Sequence, residues 1–105
     1  MYRVMLRMRV RPGGTGLFEE VIAEVAAAVA ARPGNLGQRV FRADAGGADG
    51  PATYYVFSDW VDEEAFREHE RSAEHRERIA RLGAVREESA MTTMTPVAQW
   101  GAPAL

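Results

Sequence analysis

With 105 residues, 47% of them hydrophobic and 27% charged, the chain can build one globular core and is too short for two. A formal net charge of −2, with arginines interleaved among glutamates, offers neither a basic patch for nucleic acid nor a polybasic surface for anionic membrane. The absence of cysteine excludes disulfides, thiolate nucleophiles and thiolate metal sites.

The opening MYRVMLRMRV alternates strictly: Tyr2, Val4, Leu6, Met8 and Val10 take one side, and Arg3, Met5, Arg7 and Arg9 the other. A period of two is a strand with one face in the core, not the continuous apolar run of a secretory signal. No later run reaches membrane-spanning length, so a cytoplasmic protein is expected. Pro12-Gly13-Gly14 ends the strand, and Thr15 is the expected N-cap of a helix, with Glu19 and Glu20 near its positive end. The helix runs to about Ala31, with Phe18, Val21, Ile22, Val25 and Val29 as its apolar stripe. Arg32-Pro33-Gly34 stops it.

Asn35 to Asp44 reads as a second strand and Thr53 to Trp60 as a third, joined by AGGADGPA as a flexible hairpin loop. The succession Tyr54-Tyr55-Val56-Phe57 predicts a central strand. Asp62 can cap a second helix containing Ala65 and Phe66, and Ser72 can cap a further helical segment through Arg81, with Ile79 and Leu82 inward. Ser89 to Trp100 reads as the last strand, with Pro96 implying an edge or a bulge.

The order β-α-β-β-α-β predicts an α+β, ferredoxin-like domain: a four-stranded antiparallel sheet with its helices on one face. The domain occupies residues 1–105, with its core at about 2–97 and a tail over 98–105. The other sheet face carries Met5 and half of the aromatic third strand, and an uncovered, partly apolar face predicts a homodimer, sheet against sheet.

Both histidines lie in WVDEEAFREHERSAEH, residues 60 to 75. On one continuous helix the two are separated by about 600° and share no face. Divided at Ser72, each lies on the inner side of its own segment, His69 with Phe66 and Ala73, His75 with Ile79 and Leu82. Lone histidines near an apolar face are usually structural, but two on consecutive segments beside Trp60 point to a pocket wall. Glu68, Glu70 and Glu74 fall on outward rows, so the ligands are too few for zinc or for a two-His-one-carboxylate iron site. No metal or other cofactor is expected.

Arg-Pro-Gly-Gly-Thr-Gly before the first helix lacks the spacing and Lys-Ser/Thr of a phosphate loop and reads as a strand-to-helix turn. No serine has a base and a third group at triad spacing. The Glu/Arg run from Glu63 to Arg81 reads as solvated surface with i,i+4 pairs.

The pattern W-x4-A-F-x2-H-x2-S-x2-H, formed by Trp60, Ala65, Phe66, His69, Ser72 and His75, resembles the antibiotic biosynthesis monooxygenase (ABM) family. Arg-Pro-Gly after the first strand, Pro-Gly-Asn-Leu-Gly after the first helix and Tyr-x-Val-x-x-x-Trp in the third strand fit as well, so the resemblance spans residues 2 to about 97. It implies a dimeric α+β barrel with a pocket between sheet and helices in each subunit. It also implies oxidation of a phenolic, polycyclic substrate to a quinone, with molecular oxygen as co-substrate and no metal or flavin. An electron-rich phenol can itself reduce oxygen once deprotonated, so the protein supplies a base, an apolar pocket and hydrogen bonds to the enolate.

On that reading His69 and His75 are the catalytic candidates, and Trp60, Tyr54, Tyr55, Phe66 and Asn35 the substrate-binding ones. The Asn-Trp-Arg set of the family's anthrone oxygenases is matched here only at Trp60. The haem-degrading branch fits poorly, because Leu6 stands where it has Asn and Ile79 near where it has its axial His. An isomerase or cyclase with His as proton shuttle, or a non-catalytic dimer that binds a small ligand, remains open on the same fold.

Overall fold

The computed structural model describes residues 1–44 and 50–102. The elements are β1 (Tyr2–Val10), α1 (Thr15–Ala30), β2 (Asn35–Arg42), β3 (Ala52–Trp60), α2 (Glu63–Arg71), α3 (Ala73–Ala80), a single 3-10 turn (Arg81–Ala84) and β4 (Arg86–Met94). Every ladder is antiparallel and the strand order is β2-β3-β1-β4. This is the ferredoxin-like α+β arrangement that the sequence predicts, with β1 and β3 central and β2 and β4 at the edges.

Period-two burial in β1 and β3 sends Val4, Met8, Val10, Tyr54, Val56 and Trp60 into one core with Phe18, Val21, Ile22, Val25 and Val29 of α1. The opposite sheet face keeps Arg3, Met5, Tyr55, Phe57 and Phe41 outside that core. The polar exception there is Asp59, which is buried. Arg3 donates to it from Nε (2.6 Å) and Nη2 (2.8 Å), and Arg39 from Nη2 (2.8 Å).

Several boundaries and caps differ from the sequence reading. Thr15 is the first helical residue rather than the cap; Gly14 precedes the helix without any side-chain cap. A side chain at Gly14 would meet Val85 at 3.0 Å, which accounts for the glycine. Glu19 and Glu20 lie beyond the first turn, which holds no acidic residue. Strand β2 ends at Arg42, not Asp44. Strand β4 begins at Arg86 and ends at Met94, so Pro96 follows the strand instead of bending it; the register irregularity in β4 lies opposite Arg9 and Val10. Most of the AGGADGPA connection, Ala45 to Asp49, lies outside the described residues.

Asp62 and Ser72 behave as predicted: Asp62 Oδ1 accepts from the Ala65 N–H at 2.9 Å, and Ser72 Oγ from the His75 N–H at 3.2 Å. Ser72 is extended (φ −68°, ψ 136°), so one residue closes α2, turns the chain and opens α3. Gly34 fixes where α2 meets the sheet. Its φ of +83° suits glycine, its carbonyl accepts from the Val61 N–H at 2.8 Å, and an added Cβ would sit 2.6 Å from the Ala65 Cβ. Paired Glu/Arg side chains cover the outer side of these helices, as in Arg67–Glu63 and Arg78–Glu74 at i,i+4.

Candidate active site

Between the sheet and the helices lies a cavity of about 190 Å³. Val4, Leu6, Met8 and Val56 form its floor, Ile22, Val25 and Val29 one wall, and Phe66 and Ile79 the roof. His69 and His75 enter from α2 and α3. The remaining flank lies over β4, where Ser89 and the exposed Met91 border the cavity.

The turn at Ser72 brings the two imidazoles together. Their ring centroids lie 4.0 Å apart at 51°, and His69 stacks on Trp60 at 5.0 Å and 26°. His69 is buried and His75 half-buried. Both Nδ1 atoms are enclosed without a hydrogen-bond partner among the described residues, so any proton exchanged with a ligand passes through Nε2. Burial, with help from His75, Arg32 and Arg78, pushes the His69 pKa down to about 4. Burial followed by the charges of Arg78 and Arg32 lowers His75 as well, and the Glu70 carboxylate opposes that shift. At neutral pH both rings are therefore uncharged.

The predicted binding residues separate into three groups. Phe66 lines the cavity directly. Trp60 is fully enclosed behind His69, and its Nε1–H donates to Ser58 Oγ at 2.7 Å, so it backs the wall and does not line it. Tyr54 and Tyr55 are neighbours on a strand and face opposite sides of the sheet. Tyr54 lies away from the cavity, under the start of α1. There it packs on Phe18 at 4.4 Å and donates to Glu19, and burial together with that bond pushes its pKa up to about 12. Tyr55 belongs to the open face and cannot reach the cavity. Asn35 is also outside the lining; its amide is held by the Gly37 N–H and Gln38.

Sequence reasoning missed Gln38, Ser58, Glu70 and Arg86, which all line the cavity. Glu70 is not on an outward row: it is half-buried and accepts from Arg67 Nη1 at 3.0 Å. Ser58 could have been found from its phase, two residues from both Val56 and Trp60 on the inward side of β3. Among the described residues no group of three His, Cys, Asp or Glu side chains is placed to hold a metal ion, and no helix is long and apolar enough to cross a membrane.

A split βαβ domain with a mostly apolar cavity between sheet and helices defines the class: a small ferredoxin-like α+β domain whose cavity is lined by one chain. The family model for antibiotic biosynthesis monooxygenase matches residues 1–81, and the chain belongs to that family. Among solved structures it is similar to SnoaB, a cofactor-independent oxygenase from Streptomyces nogalater, at 23% identity and a TM-score of 0.72, over 94% of this chain and 97% of that one. It is also similar to PA3566 from Pseudomonas aeruginosa (17% identity, TM-score 0.76, 92% and 94% covered). At3g17210 from Arabidopsis thaliana is a third likeness (16% identity, TM-score 0.78, 95% and 99% covered). These likenesses establish the fold. No curated protein shows significant sequence similarity to the chain.

Proposed function

We propose that the protein is a cofactor-independent monooxygenase that oxidises a phenolic, polyketide-like aromatic to a quinone with molecular oxygen. The observation that carries this reading is the pair of neutral imidazoles set into the wall of a mostly apolar cavity. Membership of the ABM family supports it, as does the likeness in fold to SnoaB.

His75 is the better base of the two, because Glu70 draws its pKa upward against burial, whereas His69 is held near 4. His69, stacked on Trp60 and packed at a tilt against His75, keeps the basic ring in place. For a substrate of anthrone type, His75 removes a proton from the ring CH2 to give an enolate. The enolate passes one electron to oxygen, and the resulting radical and superoxide combine through a new C–O bond. The His75 imidazolium returns its proton to the peroxide, and loss of water, taking the second hydrogen of that carbon, breaks the O–O bond and leaves the quinone carbonyl. One oxygen atom ends in the product and the other in water; all four electrons come from the substrate.

Roughly 150 Å³ suffices for benzene in an apolar cavity. The 190 Å³ therefore takes one substituted ring, and the rest of a polycycle extends past Ser89 and Met91. The reading includes a second copy of the chain against the open sheet face, where Phe41 and Phe57 meet edge-on at 5.8 Å. Light scattering at twice the monomer mass is the expected result.

The test is oxygen uptake on addition of an anthrone, with the His75→Ala rate lower by about a hundredfold or more. No uptake with anthrones or hydroquinones overturns the oxygenase reading. Turnover that persists without oxygen assigns the cavity to proton-transfer chemistry instead.

A further inference from the structure

The hydrogen-bonding polarity of one corner of the cavity follows group by group, because each group there is fixed by a neighbour with a single option. The Gly37 backbone N–H can only donate, and it meets the Asn35 side chain at 2.8 Å, so the atom it meets is Oδ1. That contact orients the Asn35 amide and leaves its Nδ2 to donate to Gln38 Oε1 at 3.0 Å. Gln38 Oε1 thus already accepts one bond, whereas its NH2 group has no acceptor among the described residues and is the donor that Gln38, a lining residue, can offer the cavity.

Ser58 is the cross-strand partner of Gln38 and lines the same cavity. The indole N–H of Trp60 can only donate, so Ser58 Oγ accepts at 2.7 Å. The hydroxyl hydrogen of Ser58 is left without an acceptor among the described residues. Two donors thus stand side by side on β2 and β3. Directly paired residues have Cβ atoms about 4.5–5.5 Å apart, close enough for one ligand oxygen to reach both.

We infer that Gln38 and Ser58 form a donor pair that holds one acceptor oxygen of the ligand and prefers it as an anion, a phenolate or an enolate. The inference rests on the cavity being the substrate site and names the substrate atom that is held. A charged acceptor gains about twice what a neutral one gains from each N–H or O–H, and the apolar floor does not dilute that difference. The other groups facing the cavity are His69 and His75, uncharged at neutral pH, with Glu70 from α2 and Arg86 from β4; Arg32 and Arg78 act on the imidazoles. In this arrangement Gln38 and Ser58 bind the oxygen on which negative charge gathers, His75 takes the proton, and Asn35 is a positioning residue for Gln38.

The probe is 3,5-dichlorophenol, whose ionisation is read from its near-ultraviolet absorbance, with 3,5-dichlorotoluene as a control that replaces the hydroxyl with a methyl. Bound to the wild-type protein, the phenol is expected to ionise at lower pH than it does free. Gln38→Glu keeps the side-chain shape and the contact with Asn35 but replaces the donor. It is expected to weaken phenolate binding about tenfold and leave the toluene unchanged. Gln38→Met gives the same direction. Ser58→Ala does as well if it folds without an acceptor for Trp60, and the two Gln38 variants decide the matter if it does not.

Equal losses for phenol and toluene, an ionisation midpoint that does not fall on binding, or no binding of the phenol each overturn the donor pair. Oxygen uptake measured alongside separates the two readings. A phenolate preference without uptake keeps the pair and removes the oxygenase. Uptake without the preference does the reverse.

Discussion

Two polar clusters lie on either side of the last turn of β3, and they end in opposite condition. On the open face, both oxygens of Asp59 are engaged by Arg3 and Arg39, and the Arg3 hydrogen bond holds the Asp59 carboxyl below its usual range against the effect of burial. On the covered face, His69 and His75 are desolvated, and their Nδ1 atoms have no partner among the described residues. A closed set of charge-assisted bonds leaves a ligand nothing to add and serves to tie β1, β2 and β3 together. Neutral, unsatisfied imidazoles beside an apolar cavity cost stability and are ready to act on a guest.

Asp59→Ala leaves two guanidiniums facing each other and is expected to cost about 2–3 kcal/mol in urea unfolding, with the cavity's ligand binding retained. Next, His69 takes a proton at about 6.5 when unfolded and only at about 4 when folded. Stability is therefore complete above pH 6.5 and declines as the pH falls toward 4, by roughly 2 kcal/mol once the full value of about 3 is discounted for solvent screening; His69→Leu is expected to reduce that decline to the part contributed by His75. The Asp59 contribution has the same sign in a lower window, being lost only as the pH falls through a folded pKa that lies below 3.8. Ser72→Ala removes the α3 cap, an expected loss of about 1 kcal/mol. Tyr54→Phe is expected to cost about 0.5–1 kcal/mol and to leave ligand binding unchanged, since Tyr54 bonds Glu19 outside the cavity.

What the sequence disclosed was local in origin. The alternation of β1, the stripe of α1 and the caps at Asp62 and Ser72 depend on neighbours a few residues away, so strand order, helix layer and the inward histidines could all be anticipated. Depth and side of the sheet depend on partners far along the chain. Trp60 was expected in the pocket but stands one layer behind it, and Asn35 orients a lining residue without being one. Tyr55 could have been excluded from the strand period alone, because it and Tyr54 cannot share a face. The inward phase of Ser58 was legible, but the importance of Gln38 and Ser58 comes from which of their atoms are already engaged, and that requires the folded register.

The two helical covers of the cavity are anchored very differently. Helix α1 buries Phe18, Val21, Ile22, Val25 and Val29 along sixteen residues, whereas α2 buries Phe66 and His69 and α3 buries no residue. Helices of nine and eight residues do not persist in water without such anchors. Amide exchange is therefore expected to be fastest on the side that carries the imidazoles, with α3 opening well below the free energy of global unfolding and α1 close to it. The half of the site to which the proposed function assigns the chemistry is the half expected to open first.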